Sequence, residues 1–253
     1  MDLLREYINQ NAWRDWQRYL EKLPLNENQT VYDLGCSIGA VSKLFSEKTK
    51  SVTGFDNNGF LLSEAGKDAG DNCSFVSADI FTLEPEKLEK CDGIWSSFTL
   101  AYMEDPQLFI SKWMKCLNNN GWFAITDIDG LFSNHLSKDN KYLMRIQEFE
   151  NESAEKGIYD FKIGGKIKNL MENCGLEVIV SEEDWYDAEL NFKGKADGDI
   201  AENWRARLAR MVKLKEYLDD DYEDFCDSFL NEITHEGHDS HGCVKFYAGI
   251  KKY

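Results

Sequence analysis

The feature of this sequence that most constrains its fold is a regular alternation of short apolar runs with helical segments. The runs are rich in β-branched and aromatic residues and occupy residues 30–34, 51–56, 73–78, 91–98 and 121–128. Between them, the spacing of apolar residues is helical at residues 38–48, 60–68, 84–89 and 106–117. Strands that alternate with helices in this way form βαβ units, and these build a mostly parallel sheet covered by helices on both faces.

The segments on either side extend this pattern. Residues 3–23 carry apolar side chains mostly on one side of a predicted helix that Pro24 ends. Beyond residue 128, a polar stretch contains a helix, and further elements are predicted as helices at 163–174, 199–218 and 222–233 and strands at 176–181 and 243–250. The predicted fold class is α/β: a doubly wound, Rossmann-like, mostly parallel seven-stranded sheet with an antiparallel last strand. An N-terminal helix and helical insertions are expected to form a substrate lid.

Composition restricts the partners and the compartment. The 46 acidic and 29 basic side chains give a formal net charge of −17, which would repel nucleic acid and an anionic membrane surface. The seven cysteines are scattered without a C-x-x-C pair, so we interpret them as free thiols in a reducing compartment. The N-terminus lacks a signal-peptide pattern, and no apolar run approaches about 18 residues. We expect a cytoplasmic monomer or homodimer, without a membrane partner and with nucleic acid disfavoured.

The loop after the first predicted strand indicates where a ligand binds. The stretch VYDLGCSIGA, residues 31–40, places Gly35 and Gly39 beyond the carboxyl end of that strand, the edge at which parallel sheets bind ligands. Asp56 stands 21 residues beyond Gly35, at the end of the second strand, where a carboxylate can accept both hydroxyls of a ribose. Asp79, at the end of the third strand, can accept a hydrogen bond from an adenine amino group.

Two features of this loop argue against a dinucleotide, and hence against an NAD-dependent dehydrogenase. The spacing is G-x-x-x-G, so the middle glycine of G-x-G-x-x-G, which admits a pyrophosphate, is missing. Asp33 stands just before the loop, where its charge would oppose a bound pyrophosphate. The loop therefore favours a ligand that carries an amino group or a positive charge.

Four segments in order resemble the motifs of a known family. VYDLGCSIG is similar to the first motif of class I S-adenosylmethionine-dependent methyltransferases, commonly D-x-G-C-G-x-G. GFDNN resembles their second motif, ADIF their third, and GIWSSFTLAYMEDP their segment after strand four. The resemblance implies S-adenosylmethionine as the cofactor and methyl transfer by direct displacement to an O, N or C atom of a small molecule. It also implies one methyltransferase domain over 1–253, with a helical cap at 1–29, a cofactor-binding core at 30–130 and substrate-side elements at 131–253.

The resemblance also assigns roles to single residues. The methionine half of the cofactor would be surrounded by Asp33, Gly35, Cys36, Ser37 and Gly39, where Ser37 departs from the usual glycine. Asp56 and Asn57 would meet the ribose and the adenine edge, and Asp79 and Ile80 the adenine. Ser97 and Phe98 would lie near the reacting sulfonium.

Candidates for the acceptor site come from segments expected above the strand ends. The predicted substrate pocket comprises Trp13, Tyr102, Trp185, Tyr186 and Trp204, and the candidates for an acid or a base are Asp127 and His135. Core packing is the alternative for the tryptophans on apolar helical faces, and a solvated loop is the alternative for Asp127 and His135. The basic side chains of residues 204–215 are interpreted as the solvated side of an amphipathic helix.

Other interpretations remain open from the sequence alone. His235, His238, His241 and Cys243 suggest zinc, but their spacing matches no common zinc motif, so we predict no metal. The alternatives to a small-molecule methyltransferase are one that acts on tRNA or protein, and a non-catalytic module that binds S-adenosylmethionine.

Overall fold

The computed structural model describes residues 3–240 and 242–252 and contains one seven-stranded sheet. The strands are β1 (Thr30–Leu34), β2 (Ser51–Asp56), β3 (Cys73–Ser77), β4 (Cys91–Ser97), β5 (Leu117–Ile128), β6 (Leu176–Glu182) and β7 (Val244–Lys251). Their order is β3-β2-β1-β4-β5-β7-β6, and β7 is antiparallel to both of its neighbours, while the pairs from β3 to β5 are parallel. The predicted fold class is therefore confirmed.

The helices flank this sheet and cover its carboxyl edge. They are α1 (Leu3–Trp13), α2 (Trp16–Leu20), α3 (Ala40–Ser46), α4 (Gly59–Ala65), α5 (Pro106–Trp113), α6 (Leu143–Glu155), α7 (Ile167–Asn173), α8 (Gly198–Ala209), α9 (Val212–Leu218) and α10 (Tyr222–Ile233). Side-chain caps explain several starts: Asn58, Asp105 and Asp197 each accept a hydrogen bond from the amide three residues on. In the described part of the chain, no helix combines the length and the apolar character needed to cross a membrane.

Three predicted helices were wrong in extent. Residues 3–23 form two helices, because Asp15 caps α2 by accepting a hydrogen bond from the amide of Arg18 at 3.2 Å. Residues 199–218 also form two helices, because the chain leaves helical geometry at Met211. Residues 84–89 contain only a short 3-10 turn, Pro85–Lys87.

The sheet packs apolar side chains on both faces. Trp95 and Ile94 of β4 are fully buried and, as neighbours along a strand, point to opposite faces. Trp95 packs edge-on against Trp16 and Tyr19 of α2, with ring centroids 6.1 and 5.7 Å away. Ile94 packs in a separate cluster of buried apolar residues on the opposite face, together with Trp113 of α5. Because both faces are filled, a ligand must bind at a sheet edge, and the loops after β1 to β4 lie at one such edge.

Candidate active site

A cavity of about 670 Å³ lies at the carboxyl ends of β1, β2 and β4, which is within the usual range for small-molecule sites. The loops after β1 to β4 form one wall, and α1, α8 and residues 158–161 contribute to the other. The predicted cofactor-binding residues that line it are Asp33, Gly35, Cys36, Ser37, Asp56, Asn57, Asp79, Ile80, Ser97 and Phe98. Gly39 belongs to the predicted set but is not among the described residues that line the cavity.

Gly35 and Gly39 shape the first loop through their backbone. Their φ angles are +78° and +70°, a conformation that glycine adopts without strain. A Cβ on Gly35 would lie 2.4 Å from the hydroxyl of Thr99, and one on Gly39 would lie 2.4 Å from the ring of Phe75. Gly39 immediately precedes α3, so its place in the motif reflects close packing at the start of that helix.

Ser37, the departure from the family motif, also has a left-handed backbone, with φ of 51°. This conformation explains why glycine is usual at the position. The Ser37 amide donates to Oδ2 of Asp56 over 2.9 Å and so ties the first loop to the end of β2. Its Oγ is buried and has no hydrogen-bond partner among the described residues. A buried hydroxyl on a cavity wall is available to a polar group of a ligand.

Asp33 places a buried carboxyl group on the same wall. It is 1% exposed, and its Oδ2 accepts a hydrogen bond from the Ser42 hydroxyl at 2.5 Å. Its pKa is raised to about 7, chiefly by burial and to a smaller extent by the charge of Asp56, against the lowering effect of the Ser42 hydrogen bond. A cation bound beside Asp33 would favour its ionised form.

Asp56 and Asp79 are held at their strand ends by backbone amides. Asp56 Oδ1 accepts from the amide of Asn58 at 2.8 Å, and Asp79 Oδ1 accepts from the amide of Phe81 at 2.9 Å. Carboxylate oxygens have further lone pairs, so both groups can also accept from hydroxyls or an amine of a ligand. Together with Asp33, they make this wall acidic and suited to a cationic nucleoside.

Phe98, just after β4, is held in a strained conformation where the two walls meet. Its φ is 51°, which is rare for a bulky side chain, and such outliers cluster at functional sites. The Arg14 guanidinium carbon lies 4.2 Å from its ring centroid, and the ring of Trp16 packs at 6.5 Å. The loop after β4 therefore contacts the segment that joins α1 to α2.

Three tyrosines from both walls line the cavity. Tyr102 and Tyr159 pack edge to face with centroids 4.7 Å apart, and Tyr7 of α1 lines the same cavity. Burial raises the pKa of all three tyrosines. They are therefore neutral at physiological pH and can donate hydrogen bonds to an acceptor molecule, but they cannot serve as ready bases.

Three arginines on the second wall are paired with carboxylates. Arg14 pairs with Asp187 through Nε at 2.7 Å and with Glu189 through Nη2 at 3.4 Å. Arg207 Nη2 lies 2.9 Å from Glu189, and Arg210 pairs with Glu6 of α1. All three arginines line the cavity, as does Glu6, so this wall offers guanidinium donors that are paired with carboxylates, whereas the first wall offers the carboxylates of Asp33, Asp56 and Asp79.

Comparison with known families decides the class of enzyme. A family model described as a methyltransferase domain matches residues 25–187, which is more than half of the 253 residues. The chain belongs to the class I S-adenosylmethionine-dependent methyltransferases. The prediction of the family and that of its cofactor are thereby confirmed.

Similar proteins support this assignment. Trans-aconitate 2-methyltransferase of Escherichia coli strain 55989 is 23% identical over 201 residues, which cover 79% of this chain and 77% of that protein. Coclaurine N-methyltransferase bound to N-methylheliamine and SAH has a TM-score of 0.61 and 18% identity, covering 93% of this chain and 71% of that one. The YcgJ protein of Bacillus subtilis has a TM-score of 0.61 and 13% identity, covering 94% and 98%. The two structural likenesses show the fold.

The cavity of this methyltransferase fits its cofactor. The acidic wall suits the positive charges of S-adenosylmethionine, and the buried hydroxyl of Ser37 offers a partner to a polar group.

Most of the predicted substrate-pocket residues lie elsewhere in the methyltransferase. Only Tyr102 of that set is among the described residues that line the cavity. Trp185 and Trp204 are buried in the core, where they pack against Phe246 and Phe229 with centroids 5.3 and 5.0 Å away. Trp13 packs beside the core, and Tyr186 is 59% exposed on the surface. We therefore revise these four assignments: Trp185 and Trp204 are core residues, Trp13 packs against the core, and Tyr186 lies on the surface.

The two candidates for an acid or a base, Asp127 and His135, are not among the described residues that line the cavity. Asp127 is fully buried, and its carboxylate accepts hydrogen bonds from the amides of Ala101 at 3.2 Å and Ile128 at 2.9 Å. Burial raises its pKa to about 7. Since Ala101 precedes Tyr102, Asp127 holds the turn that presents this tyrosine to the cavity. We therefore revise Asp127 to a positioning residue.

His135 belongs to a buried histidine pair. Its Nδ1 lies 3.1 Å from Nε2 of His238, and the two rings stack with an interplanar angle of 9°. Burial lowers the pKa of both imidazoles. Trp204 and Phe229 pack edge-on against His135 with centroids 5.0 and 5.6 Å away, so we revise His135 to a core residue.

The suggested zinc constellation is only partly described. His241 lies outside the described residues, and Cys243 Sγ donates to the carbonyl of Gly130 at 2.6 Å. Within 3–240 and 242–252, no group of three or more histidine, cysteine or acidic side chains could hold a metal ion.

Sequence reasoning missed the arginines of the second wall. Arg205 and Lys215 are solvated as predicted, with side chains 60% and 64% exposed, but the Arg207 side chain is only 16% exposed and turns inward. Arg207 stands three positions after Trp204 and its guanidinium carbon lies 4.6 Å from that buried ring, but its partners Glu6 and Glu189 come from distant segments, so no local sequence signal indicates its inward orientation.

Proposed function

We propose that this methyltransferase methylates a small molecule that carries a carboxylate. The observation that carries the proposal is the division of charge in one cavity. Asp33, Asp56 and Asp79 line the wall made by the strand-end loops, whereas Arg14 and the two arginines at residues 207 and 210 line the wall that includes α1 and α8. A cationic cofactor would then face the carboxylates of the first wall, and an anionic acceptor the guanidinium donors of the second.

The three arginines are already held in place to bind an acceptor carboxylate. Their contacts with Asp187, Glu189 and Glu6 engage some of the five N–H donors that each guanidinium carries. The same arginine can therefore donate to a second anion, and its planar fork matches a carboxylate. This arrangement favours a carboxylate over an amine as the group that is recognised.

A carboxylate also matches the chemistry that the lining residues can perform. The bound cofactor supplies a methyl group on a positively charged sulfur. An acceptor carboxylate has already lost its proton at neutral pH, so its oxygen needs no general base. The three tyrosines that line the cavity have raised pKa values, and Asp127 and His135 are not among the described lining residues. The chain can then act by alignment, from which roughly 7–11 kcal/mol is available in intramolecular models.

One similar protein supports the choice of acceptor. Trans-aconitate 2-methyltransferase is named for a tricarboxylate, and this chain matches 77% of its length at 23% identity. The net charge of −17 weighs against tRNA, the main macromolecular alternative.

The test is methyl transfer from labelled S-adenosylmethionine to a panel of mono-, di- and tricarboxylates. Each acid is paired with its own amide or methyl ester as the matched control, and products are identified as esters by mass spectrometry. We expect label in acids and none in the capped controls. Transfer confined to amines, phenols, RNA or protein in the same assay would overturn the proposal, as would cofactor binding without transfer to any acceptor.

A further inference from the structure

We propose that Glu189 is a positioning residue that holds two helices, α1 and α8, closed over the cofactor cavity. We call α1 and α8 the lid helices. The consequence is that Glu189 controls how fast the cofactor leaves. This role concerns the cofactor and is independent of which acceptor is methylated.

The contacts of Glu189 join the two lid helices to each other. Its carboxylate is 1% exposed and accepts from Gln10 Nε2 at 3.3 Å and from Arg14 Nη2 at 3.4 Å, at the end of α1. It also accepts from Asn203 Nδ2 at 2.7 Å and from Arg207 Nη2 at 2.9 Å, both on α8. Gln10, Arg14 and Arg207 line the cavity, whereas Glu189 is not among the described lining residues.

Hydrogen bonds fix the segment that carries Glu189. Its amide and that of Leu190 donate to Asp187 Oδ1, both at 2.9 Å. The following Asn191 accepts from the amide of Cys243 at 3.0 Å, immediately before β7. Glu189 is therefore fixed to the sheet, and the lid helices are fixed to Glu189.

The amphipathicity of α1 shows why these contacts matter. Its buried residues are Glu6 and Gln10, whereas Leu3 and Ile8 are each 42% exposed. The polar face thus points inward over the first turns of the helix, while Trp13 packs against the core at its end. Polar contacts hold the part of the helix before Trp13: those of Glu189, and the pairing of Glu6 with Arg207, at 3.6 Å, and with Arg210.

The test is Glu189→Gln, which keeps the shape of the side chain and removes its charge. We expect S-adenosylhomocysteine to dissociate about tenfold faster, because the neutral amide makes weaker hydrogen bonds with Arg14 and Arg207 than the carboxylate does and the lid helices then open more often. Dissociation can be followed by tryptophan fluorescence in a stopped-flow chase, since Trp16 lines the cavity. The matched control is Glu202→Gln, which removes the same charge from an exposed pair with Arg205 on α8 and should leave the rate unchanged.

Hydrogen exchange separates lid opening from loss of the fold. In Glu189→Gln we expect faster exchange in α1 while β1 and β4 keep their protection. If Glu189→Gln does not fold, Glu6→Gln decides the matter, because it breaks the second link between α1 and α8 and should also speed dissociation. The proposal is overturned if the folded variant releases S-adenosylhomocysteine at the wild-type rate, or if Glu202→Gln accelerates release to the same extent.

Discussion

The buried carboxyl group of Asp33 should make cofactor binding depend on pH. Its pKa in the free protein is about 7, raised chiefly by burial, so the group is partly protonated under physiological conditions. S-adenosylmethionine brings positive charge to this wall and should stabilise the carboxylate. Binding below pH 7 therefore requires the loss of a proton from Asp33.

The size of the effect follows from that pKa. At pH 6 about nine in ten molecules carry a protonated Asp33, and at pH 8 about one in ten do. If the bound cofactor lowers the pKa by about 2 units, within the usual range for an adjacent opposite charge, the carboxylate is ionised in the complex at both pH values. The Kd should then be about tenfold larger at pH 6 than at pH 8, which corresponds to about 1.4 kcal/mol.

Calorimetry can measure both the affinity and the protons released. Titrations with S-adenosylhomocysteine, whose α-amino group is also cationic, in buffers of different ionisation enthalpy should show release of about half a proton at pH 7. The control variant is Asp33→Asn, which should bind more weakly, with a Kd that is nearly the same at pH 6 and pH 8. Asp127, whose pKa is also about 7, is still present in this variant. A loss of the pH dependence therefore assigns that dependence to Asp33 and not to Asp127.

Two results would refute this reasoning. One is a wild-type Kd that does not change between pH 6 and pH 8. The other is the same tenfold change in Asp33→Asn, which would assign the titration to a different group.

Three further predictions concern the same wall and its buried acids. Ser37→Gly should raise the unfolding temperature, by relief of a left-handed backbone that costs about 1 kcal/mol; an unchanged or lower temperature contradicts this. Asp56→Ala should weaken cofactor binding by calorimetry at least about tenfold, because it removes an acceptor for the ribose and leaves two amides without their partner; unchanged binding contradicts it. Because the folded state raises the pKa values of Asp33 and Asp127, the stability of the protein should decrease as pH rises towards and through 7. Asp33→Asn removes one of these two groups, so its unfolding temperature should fall less between pH 6 and pH 8 than that of wild type.

The acidic wall could be predicted from the sequence because its three aspartates stand at the carboxyl ends of strands: Asp33 and Asp56 are in the last two residues of β1 and β2, and Asp79 is two residues beyond β3. A parallel sheet brings the carboxyl ends of its strands to one edge, so the positions of Asp33, Asp56 and Asp79 follow from topology alone. Nothing about distant contacts was needed. The sequence motif also shows that Ser37 replaces the usual glycine, whereas the left-handed backbone of Ser37 is known only from the structure.

The second wall could not be predicted in this way. Gln10 and Glu189 are 179 positions apart and meet only because α1 and the segment after β6 reach the same side of the molecule. Periodicity was misleading as well, because the rule that apolar side chains point inward fails for α1. The inward turn of Arg207 depends on buried carboxylates from two other segments, Glu6 and Glu189, which no local pattern indicates.

The inverted amphipathicity of α1 has a functional reason in a site that must open for each turnover. A lid with an apolar inner face would expose that face on opening, at about 25 cal/mol per Å² of surface. The polar inner face of α1 exchanges its contacts for water instead, and the net cost of losing one such hydrogen bond is only about 1 kcal/mol. Several contacts converge on Glu189, so the closed state is still well defined. A polar lid that is held by one carboxylate can therefore exclude water while it is closed during methyl transfer, and it can open at low cost to release the product cofactor.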